Sequence, residues 1–448
     1  MGSWQRLDLS PAQLLLTYRK MEIPSLKAAA SSDIVFEDVR KEAILAAVFA
    51  IRAFFERIGL VVKYRGLEHL RGRRVAFVAN HQGGNLDALV LAMILFSEKG
   101  RTPYIPTSNR LLEAKVVGQF NVYLKYLGAF FIRPTFENDP DYIKSVARFM
   151  DAILDTAQYL LFYLEGDTSK GGKPLPPRRG LIKSLIAKPI VFCPVSLTYE
   201  SALNDSGIHR ATFAASNVIS AVTTRRIGTV YVTFGTCLDG DCSPSHYEVS
   251  ARLANAIYSE IPILTCDVIA TLLLDAQAQG IVEVALDELQ RDVQWLESEI
   301  RARELPLISK PLHSAVKALA HLLTITTTSI SIKDAEPLAF YRNRALHAFY
   351  DCAQAPALLR YECNWSPSVP PLGGGSSRLR GLAIRTVAPL VAVYTRIGQL
   401  VAGGRSSAAD LRAVVAEMAG TTVCTWRNIQ RVYADNGWRL PCDKLEEL

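Results

Sequence analysis

The sequence predicts an α/β fold: a mixed, largely parallel sheet flanked by helices, with a helical segment before it and a helical region after it. Three observations carry this expectation. Between about 61 and 245, short apolar runs rich in β-formers alternate with helix-patterned stretches, as a layered sheet-and-helix core requires. Before that core, EAILAAVFAIRAFFERIG (42–59) is apolar nearly all round and is interrupted by Arg52, Glu56 and Arg57. From about 246 onward helical patterns dominate, and no tandem repeat is visible. The expected division is therefore a helical segment over 1–60, an α/β core over 61–245 and a helical region over 246–448. A Pro-, Gly- and Ser-rich linker loop is expected over 364–378.

Each core element has a local reason. VVKYRGLEHL gives a strand followed by a turn at Gly66. VAFVAN (75–80) reads as a buried strand, and a Gly-Gly loop joins it to the apolar helix LDALVLAMILF (86–96). TPYIPTS and LGAFFIRP (127–134) read as strands, the second ended by Pro134. DPDYIKSVARFMDAILDTA opens with capping-type residues and continues with one apolar stripe, so it reads as an amphipathic helix. QYLLFYLEG (158–166), PIVFCPVSLTY (189–199) and GTVYVTFG (228–235) supply further apolar strands.

Composition narrows the function classes. The 448 residues are 49% hydrophobic and 21% charged, which supports a packed core and excludes a disordered chain. A net charge of +7 suits an acidic partner, namely an anionic membrane surface, an acidic carrier protein or a phosphorylated substrate. No basic run interleaved with aromatics is present, so nucleic acid is not expected as a partner. The eight cysteines form no CxxC and read as reduced thiols, and no metal site is expected. The N-terminus lacks a secretory pattern, and no apolar run reaches the ~18 residues of a spanning helix. The expected location is cytoplasmic, with peripheral attachment to a membrane through 42–59 as the lesser alternative.

The chemistry concentrates in NHQGGNLDALVL (80–91). A histidine follows a buried strand, two glycines follow the histidine, and an acidic residue opens an apolar helix. Loops at the carboxyl ends of strands are where α/β proteins bind ligands. His81 can take a proton from a hydroxyl, and Asp87 can hold the other ring nitrogen. Gly83 and Gly84 permit close backbone approach, and their N–H groups near a helix N-terminus suit an oxyanion. The same residues also read equally well as a loop histidine, an N-cap at Asn85 and a favourable first-turn charge at Asp87. No Gly-x-Ser-x-Gly elbow is present, which argues against an α/β hydrolase. Cys193, His321 and His347 sit in apolar surroundings and read as structural.

Three later segments change that balance: YLGAFFIRPTF (126–136), LFYLEGDTSKGGKPLPPRRGLI (161–182) and FCPVSLTYE (192–200). With the His81 segment, in order and spacing, they resemble the four blocks of the glycerol-3-phosphate and dihydroxyacetone-phosphate acyltransferase family. PYIPTSNRLLEA (103–114), ILTCDVIATLLL (263–274) and FYRNRALHAF (340–349) extend the likeness over roughly 35–435. The resemblance implies that His81 and Asp87 are the catalytic pair, although five residues separate them where the family has four. It implies substrate-binding roles for Gly83, Gly84, Asn109, Arg133, Glu165, Gly166, Ser169, Lys170, Lys173 and Arg179. Pro134 and Thr168 stand where the family carries arginines, so a phosphate would meet fewer cations here.

The implied reaction is transfer of a fatty-acyl group to glycerol 3-phosphate or a related small anionic acceptor. The donor is acyl-CoA or an acyl-carrier protein, and no bound cofactor is needed. Two alternatives remain open at this point. One is the same chemistry on a non-phospholipid alcohol or amine. The other is a non-catalytic homologue that binds lipid or a carrier protein.

Overall fold

The computed structural model describes residues 3–30, 34–36, 38–72, 74–109, 128–133, 139–168, 171–175, 177–186, 189–201, 226–240, 245–349 and 376–387. Two units divide the chain: residues 1–168 with 178–261, and residues 169–177 with 262–448.

In the first unit the order is β1 (Gln5–Arg6), α1 (Pro11–Lys20), α2 (Lys41–Arg57), β2 (Leu60–Arg65), β3 (Val75–Ala79), α3 (Asn85–Lys99), β4 (Ile105–Ser108) and β5 (Ala129–Ile132). It continues with α4 (Pro140–Asp155), β6 (Tyr159–Tyr163), α5 (Gly180–Leu185), β7 (Val191–Tyr199), β8 (Gly228–Phe234), β9 (Leu238–Asp239) and α6 (His246–Tyr258). The sheet runs β1-β2-β8-β7-β3-β6, with β9 on β7. β3, β6 and β7 are parallel, and β2 and β8 run opposite to them. Tyr104 bridges Leu160 in parallel, so β4 and its parallel partner β5 extend the sheet past β6. This is the mixed, largely parallel sheet that the alternating pattern predicts.

Burial explains the patterns. Every residue of β3 is fully buried, as befits a central strand covered on both faces. α4 starts where Asp139 accepts a hydrogen bond from the Tyr142 N–H at 3.0 Å, with Pro140 in the first turn. Its buried stripe is Tyr142, Val146, Phe149, Met150, Ile153 and Leu154. Each such side chain contributes roughly 1.5–3 kcal/mol by leaving water. α2 also shows one buried stripe, Ile44, Ala47, Val48, Ile51 and Phe55, while Arg52 pairs with Glu56 at 2.7 Å on another face. Among the described residues no helix is long and apolar enough to cross a membrane.

Both expected boundaries move. Residues before 61 belong to the first unit, because Gln5 and Arg6 pair with β2 and Val35 pairs with Phe131. The second boundary falls at 261 rather than 245. α6 and the turn after it are held by the sheet. Ser196 Oγ donates to the Glu260 carbonyl at 3.2 Å, and Arg65 pairs with Glu260 at 3.0 Å.

The second unit carries β10 (Ile263–Leu264), α7 (Thr265–Ala278), β11 (Glu283–Ala285), α8 (Leu286–Ala302), β12 (Leu307–Ile308), α9 (Leu312–Leu319), β13 (Leu323–Ile325), β14 (Ser329–Ile332) and α10 (Ala335–Arg344). A further helix, α11, spans 377–387. The region expected to be helical thus also holds two small sheets, β10-β12 and β11-β14-β13. The Thr- and Ser-rich run after Leu323 alternates and folds back as a hairpin, with Leu323 opposite Ile332. Of the expected loop 364–378, residues 364–375 lie outside the described residues. Ser376 accepts from the Leu379 N–H at 3.2 Å and starts α11.

Candidate active site

The loop after β3 builds the site. Asn80 extends the β3–β7 ladder with its side chain: Nδ2 donates to the Leu197 carbonyl at 3.0 Å, and Oδ1 accepts from the Leu197 N–H at 2.7 Å. The chain therefore leaves the strand in a fixed direction. Gly84 then takes φ 59° and ψ −135°, a backbone that side chains disfavour, and α3 begins at Asn85. That turn absorbs the extra residue. His81 Nδ1 lies 2.8 Å from Asp87 Oδ2. Asp87 is 0% exposed, and the His81 side chain is 15% exposed.

The Asp87 carboxylate has three kinds of donor. The Gly83 N–H reaches both oxygens, at 3.0 and 2.9 Å. The Tyr199 hydroxyl donates to Oδ1 at 2.6 Å. The third donor is His81: a carboxylate only accepts, so Nδ1 carries the proton and Nε2 is the ring's acceptor. Tyr163 stacks on the His81 ring, with centroids 3.7 Å apart and planes 11° from parallel. Burial, and then the Asp87 charge, holds both the Tyr163 and Tyr199 phenols well above their ordinary range, so both stay protonated.

Gly83 differs from the expectation. Its N–H is committed to Asp87 and is not offered to substrate. A Cβ there would meet Asp87 Oδ1 at 2.6 Å and the Tyr199 ring at 2.7 Å, so the position needs glycine for packing. Among the described residues the N–H groups of Gly84 and Asn85 take no partner, as expected of a helix's first turn.

Strand register places the remaining candidates in the first unit. Ala79, Tyr163, Thr107 and Phe131 share one level across β3, β6, β4 and β5. Two residues beyond that level, on the carboxyl edge, stand His81, Glu165, Asn109 and Arg133 in turn. At about 4.8 Å per strand, the Arg133 backbone is roughly 14 Å from that of His81. Asn109 donates its N–H to the Ile132 carbonyl at 2.9 Å. Arg133 pairs with Asp139 at 2.9 Å and lies 4.2 Å from the Tyr142 ring centroid. The backbone N–H of Tyr142 first, and Arg133 next, hold the Asp139 carboxyl below its usual range. Glu165 is buried, and its Oε1 accepts from the Tyr258 hydroxyl at 3.0 Å, which ties the loop to α6. Gly166 turns at φ 59° beside the Arg178 side chain, which leaves no room for a Cβ. The Arg179 guanidinium lies 4.3 Å from the Tyr247 ring centroid.

Lys173 is buried within the second unit. Its segment is held there by Asn343, whose Nδ2 donates to the Gly171 carbonyl at 2.8 Å, and by Gly172, which packs on the Phe340 carbonyl. Ser169, Lys170 and Pro134 lie outside the described residues. The three residues read as structural agree with their surroundings in two cases: Cys193 is buried with its thiol pushed up, and His347 is buried with its pKa pushed down to about 4 by desolvation. Sequence reasoning gave no role to Tyr163 or Tyr199. The only available signal was their place within the third and fourth blocks.

The acyltransferase family model matches residues 61–198, which span β2 to the end of β7. A glycerol-3-phosphate acyltransferase from Pseudomonas entomophila (strain L48) is 28% identical over 239 residues, covering 48% of this chain and 28% of that protein. A dihydroxyacetone phosphate acyltransferase from Oryctolagus cuniculus is 24% identical over 273 residues, covering 53% of this chain and 39% of that protein. The match thus takes in well under half the length of either relative. The solved 1-acyl-sn-glycerophosphate acyltransferase of Thermotoga maritima aligns with a TM-score of 0.32 and 16% identity, over 54% of this chain and 83% of that one. Residues 61–198, with the His81–Asp87 pair at their carboxyl edge, are an acyltransferase-family domain similar to those of the glycerol-3-phosphate and dihydroxyacetone phosphate acyltransferases.

Proposed function

We propose that the chain transfers a fatty-acyl group from a thioester, acyl-CoA or acyl-carrier protein, to the hydroxyl of a glycerol-phosphate-like acceptor, with His81 as general base. One observation carries the reading: a fully buried Asp87 holds His81 Nδ1 at 2.8 Å, which directs Nε2 to be the proton acceptor. In this reaction Nε2 takes the proton of the acceptor hydroxyl as its oxygen attacks the thioester carbonyl. A C–O bond forms, and the carbonyl oxygen becomes an oxyanion. The N–H groups of Gly84 and Asn85, at the start of α3, are backbone donors suited to it. Collapse breaks the C–S bond, and the His81 proton leaves with the thiolate. A net charge of +7 favours anionic donors, acceptors and membrane surfaces as partners.

A second acceptor class has one observation in its favour. Arg133, the cation expected at a phosphate, is already paired with Asp139, and Pro134 and Thr168 stand where the resemblance to the acyltransferase blocks implies arginines. An uncharged alcohol needs no such cations.

The test is acyl transfer from palmitoyl-CoA and from palmitoyl-carrier protein to glycerol 3-phosphate, with wild type and His81→Ala side by side. Lysophosphatidic acid formed by wild type and lost in the variant is the expected result. Product formed equally by both proteins would remove His81 as the base. Product absent with both donors, but present with an uncharged alcohol, would select the second acceptor class.

A further inference from the structure

Asp87 serves two side chains at once, and only one of them is the histidine. Its Oδ2 faces His81 Nδ1 at 2.8 Å, and its Oδ1 accepts the Tyr199 hydroxyl at 2.6 Å. Tyr199 is the last residue of β7, and it is 2% exposed. β7 runs four residues beyond Val195, which is level with the end of β3. Asn80 bonds Leu197 on both sides and fixes that overhang against the loop that carries His81. The overhang puts a neutral, buried donor on the carboxylate that faces the base. Within the described residues the titratable groups against this pair are Tyr163 from β6 and Tyr199 from β7. Tyr163 stacks on the imidazole face, and its hydroxyl is buried with no hydrogen-bond partner among the described residues.

We infer that Tyr199 is a positioning residue that sets the basicity of His81 by sharing the Asp87 carboxylate with it. This rests on the reading of His81 as the base. The physical reason is competition for one charge. A donor on Oδ1 disperses the carboxylate charge, so less of it stabilises the imidazolium. Tyr199 therefore keeps His81 a weaker base than an Asp–His pair without it. The same bond fixes the carboxylate rotation, so that Oδ2 stays aligned with Nδ1. Tyr163 packs against the ring without hydrogen-bonding the carboxylate, so its hydroxyl is not the donor that shares that charge.

The consequence has a direction. Tyr199→Phe keeps the buried ring and removes one hydroxyl. The His81 titration midpoint should then rise, because more of the carboxylate charge is left to face the imidazole. The decisive measurement is the titration of the His81 imidazole by NMR in wild type, Tyr199→Phe and Tyr163→Phe, with His81→Gln to identify its resonance. This reads His81 whether or not the protein turns over any chosen substrate. Where transfer activity is present, the acid limb of kcat/KM should move up with it. A Tyr199→Phe midpoint equal to wild type would overturn the inference, as would an equal rise in Tyr163→Phe. Asp87→Asn gives a second check that does not rely on one variant folding well. In that background the Tyr199 hydroxyl has no carboxylate to share, so adding Tyr199→Phe should leave the midpoint where Asp87→Asn put it. A further shift of similar size there would equally overturn the assignment. Absence of all transfer activity beside a shifted midpoint would count against the proposed reaction and leave the tuning intact.

Discussion

Asp87 and Asp267 occupy the same kind of place. Each is the third residue of an apolar helix, α3 in the first unit and α7 in the second, and each is essentially unexposed. Each also accepts a backbone N–H from just before its helix, Gly83 at 2.9 Å and Leu264 at 3.0 Å. Their partners differ. Asp267 pairs with Arg344, whose side chain is 1% exposed, through Nε at 3.1 Å and through a short contact from the same guanidinium. Burial works against the Arg344 charge, but the Asp267 carboxylate outweighs it and holds the guanidinium above even its usual range. That pair cannot move a proton. Asp87 faces an imidazole at a partly open edge, a partner that can carry or release a proton. A buried carboxylate at a helix start is common to both sites, so the partner decides whether the pair is fixed in charge or able to exchange a proton.

Cutting each pair should therefore have opposite signatures. His81→Ala should lower acyl-transfer rate about a thousandfold, within the usual range for loss of a general base. Its thermal midpoint should stay close to wild type, because the ring is partly exposed and the Asp87 carboxylate keeps its bonds from Gly83 and Tyr199. Arg344→Met should do the reverse. It leaves Asp267 buried without its cation, which costs about 3–5 kcal/mol in urea unfolding. A His81→Ala protein that melts far below wild type, or an Arg344→Met protein of undiminished stability, would erase the distinction between the two aspartates.

The histidine beside Arg344 gives a further structural signature at smaller size. His347 Nδ1 donates to the Arg344 carbonyl at 3.0 Å, and desolvation pushes its pKa down to about 4. In the unfolded chain it titrates near 6.5. Between those values the unfolded state binds the extra proton. The stability is fully present above pH ~6.5 and is lost as pH falls toward ~4, by about 3 kcal/mol in all. Replacing His347 with Leu should flatten the urea-midpoint profile in that window. An equally steep profile in His347→Leu would mean that another group controls the acid side.

The sequence made the core strands legible because their signals are local: apolar runs of four to nine residues bounded by Gly, Pro and capping residues. The His81–Asp87 pairing was legible across an abnormal gap because Gly83-Gly84 marks a turn, and Gly84 does take a positive φ. What escaped was long-range. Tyr199 lies 112 residues from Asp87 in sequence, and no local pattern announces that bond. The Gly83 N–H was assigned to substrate because the fold of the loop back onto Asp87 is not written in residue types. α6 was placed outside the core for the same reason, since what holds it are Tyr258 to Glu165 and Glu260 to Ser196 and Arg65. The two- to four-residue strands of the second unit exist through partners elsewhere in the chain, and such strands are too short to show a period.

Arg133 gives the smallest and most discriminating contrast. It shares the carboxyl edge with His81 but not its burial: its side chain is 40% exposed, and its partner Asp139 is 39% exposed. An exposed pair of this kind contributes little to stability. Arg133→Gln should therefore leave both stability and kcat nearly unchanged. Its effect should fall on the KM for glycerol 3-phosphate, which should rise several-fold if the guanidinium turns from Asp139 to the phosphate when acceptor binds. The screening of exposed charges adds a control, since raising salt should erode wild-type KM more than that of the variant. An unchanged KM, with the same salt response in both proteins, would mean that Arg133 serves structural partners such as Asp139 and Tyr142 rather than the acceptor. The phosphate would then have to be held by other cations, or the acceptor would carry none.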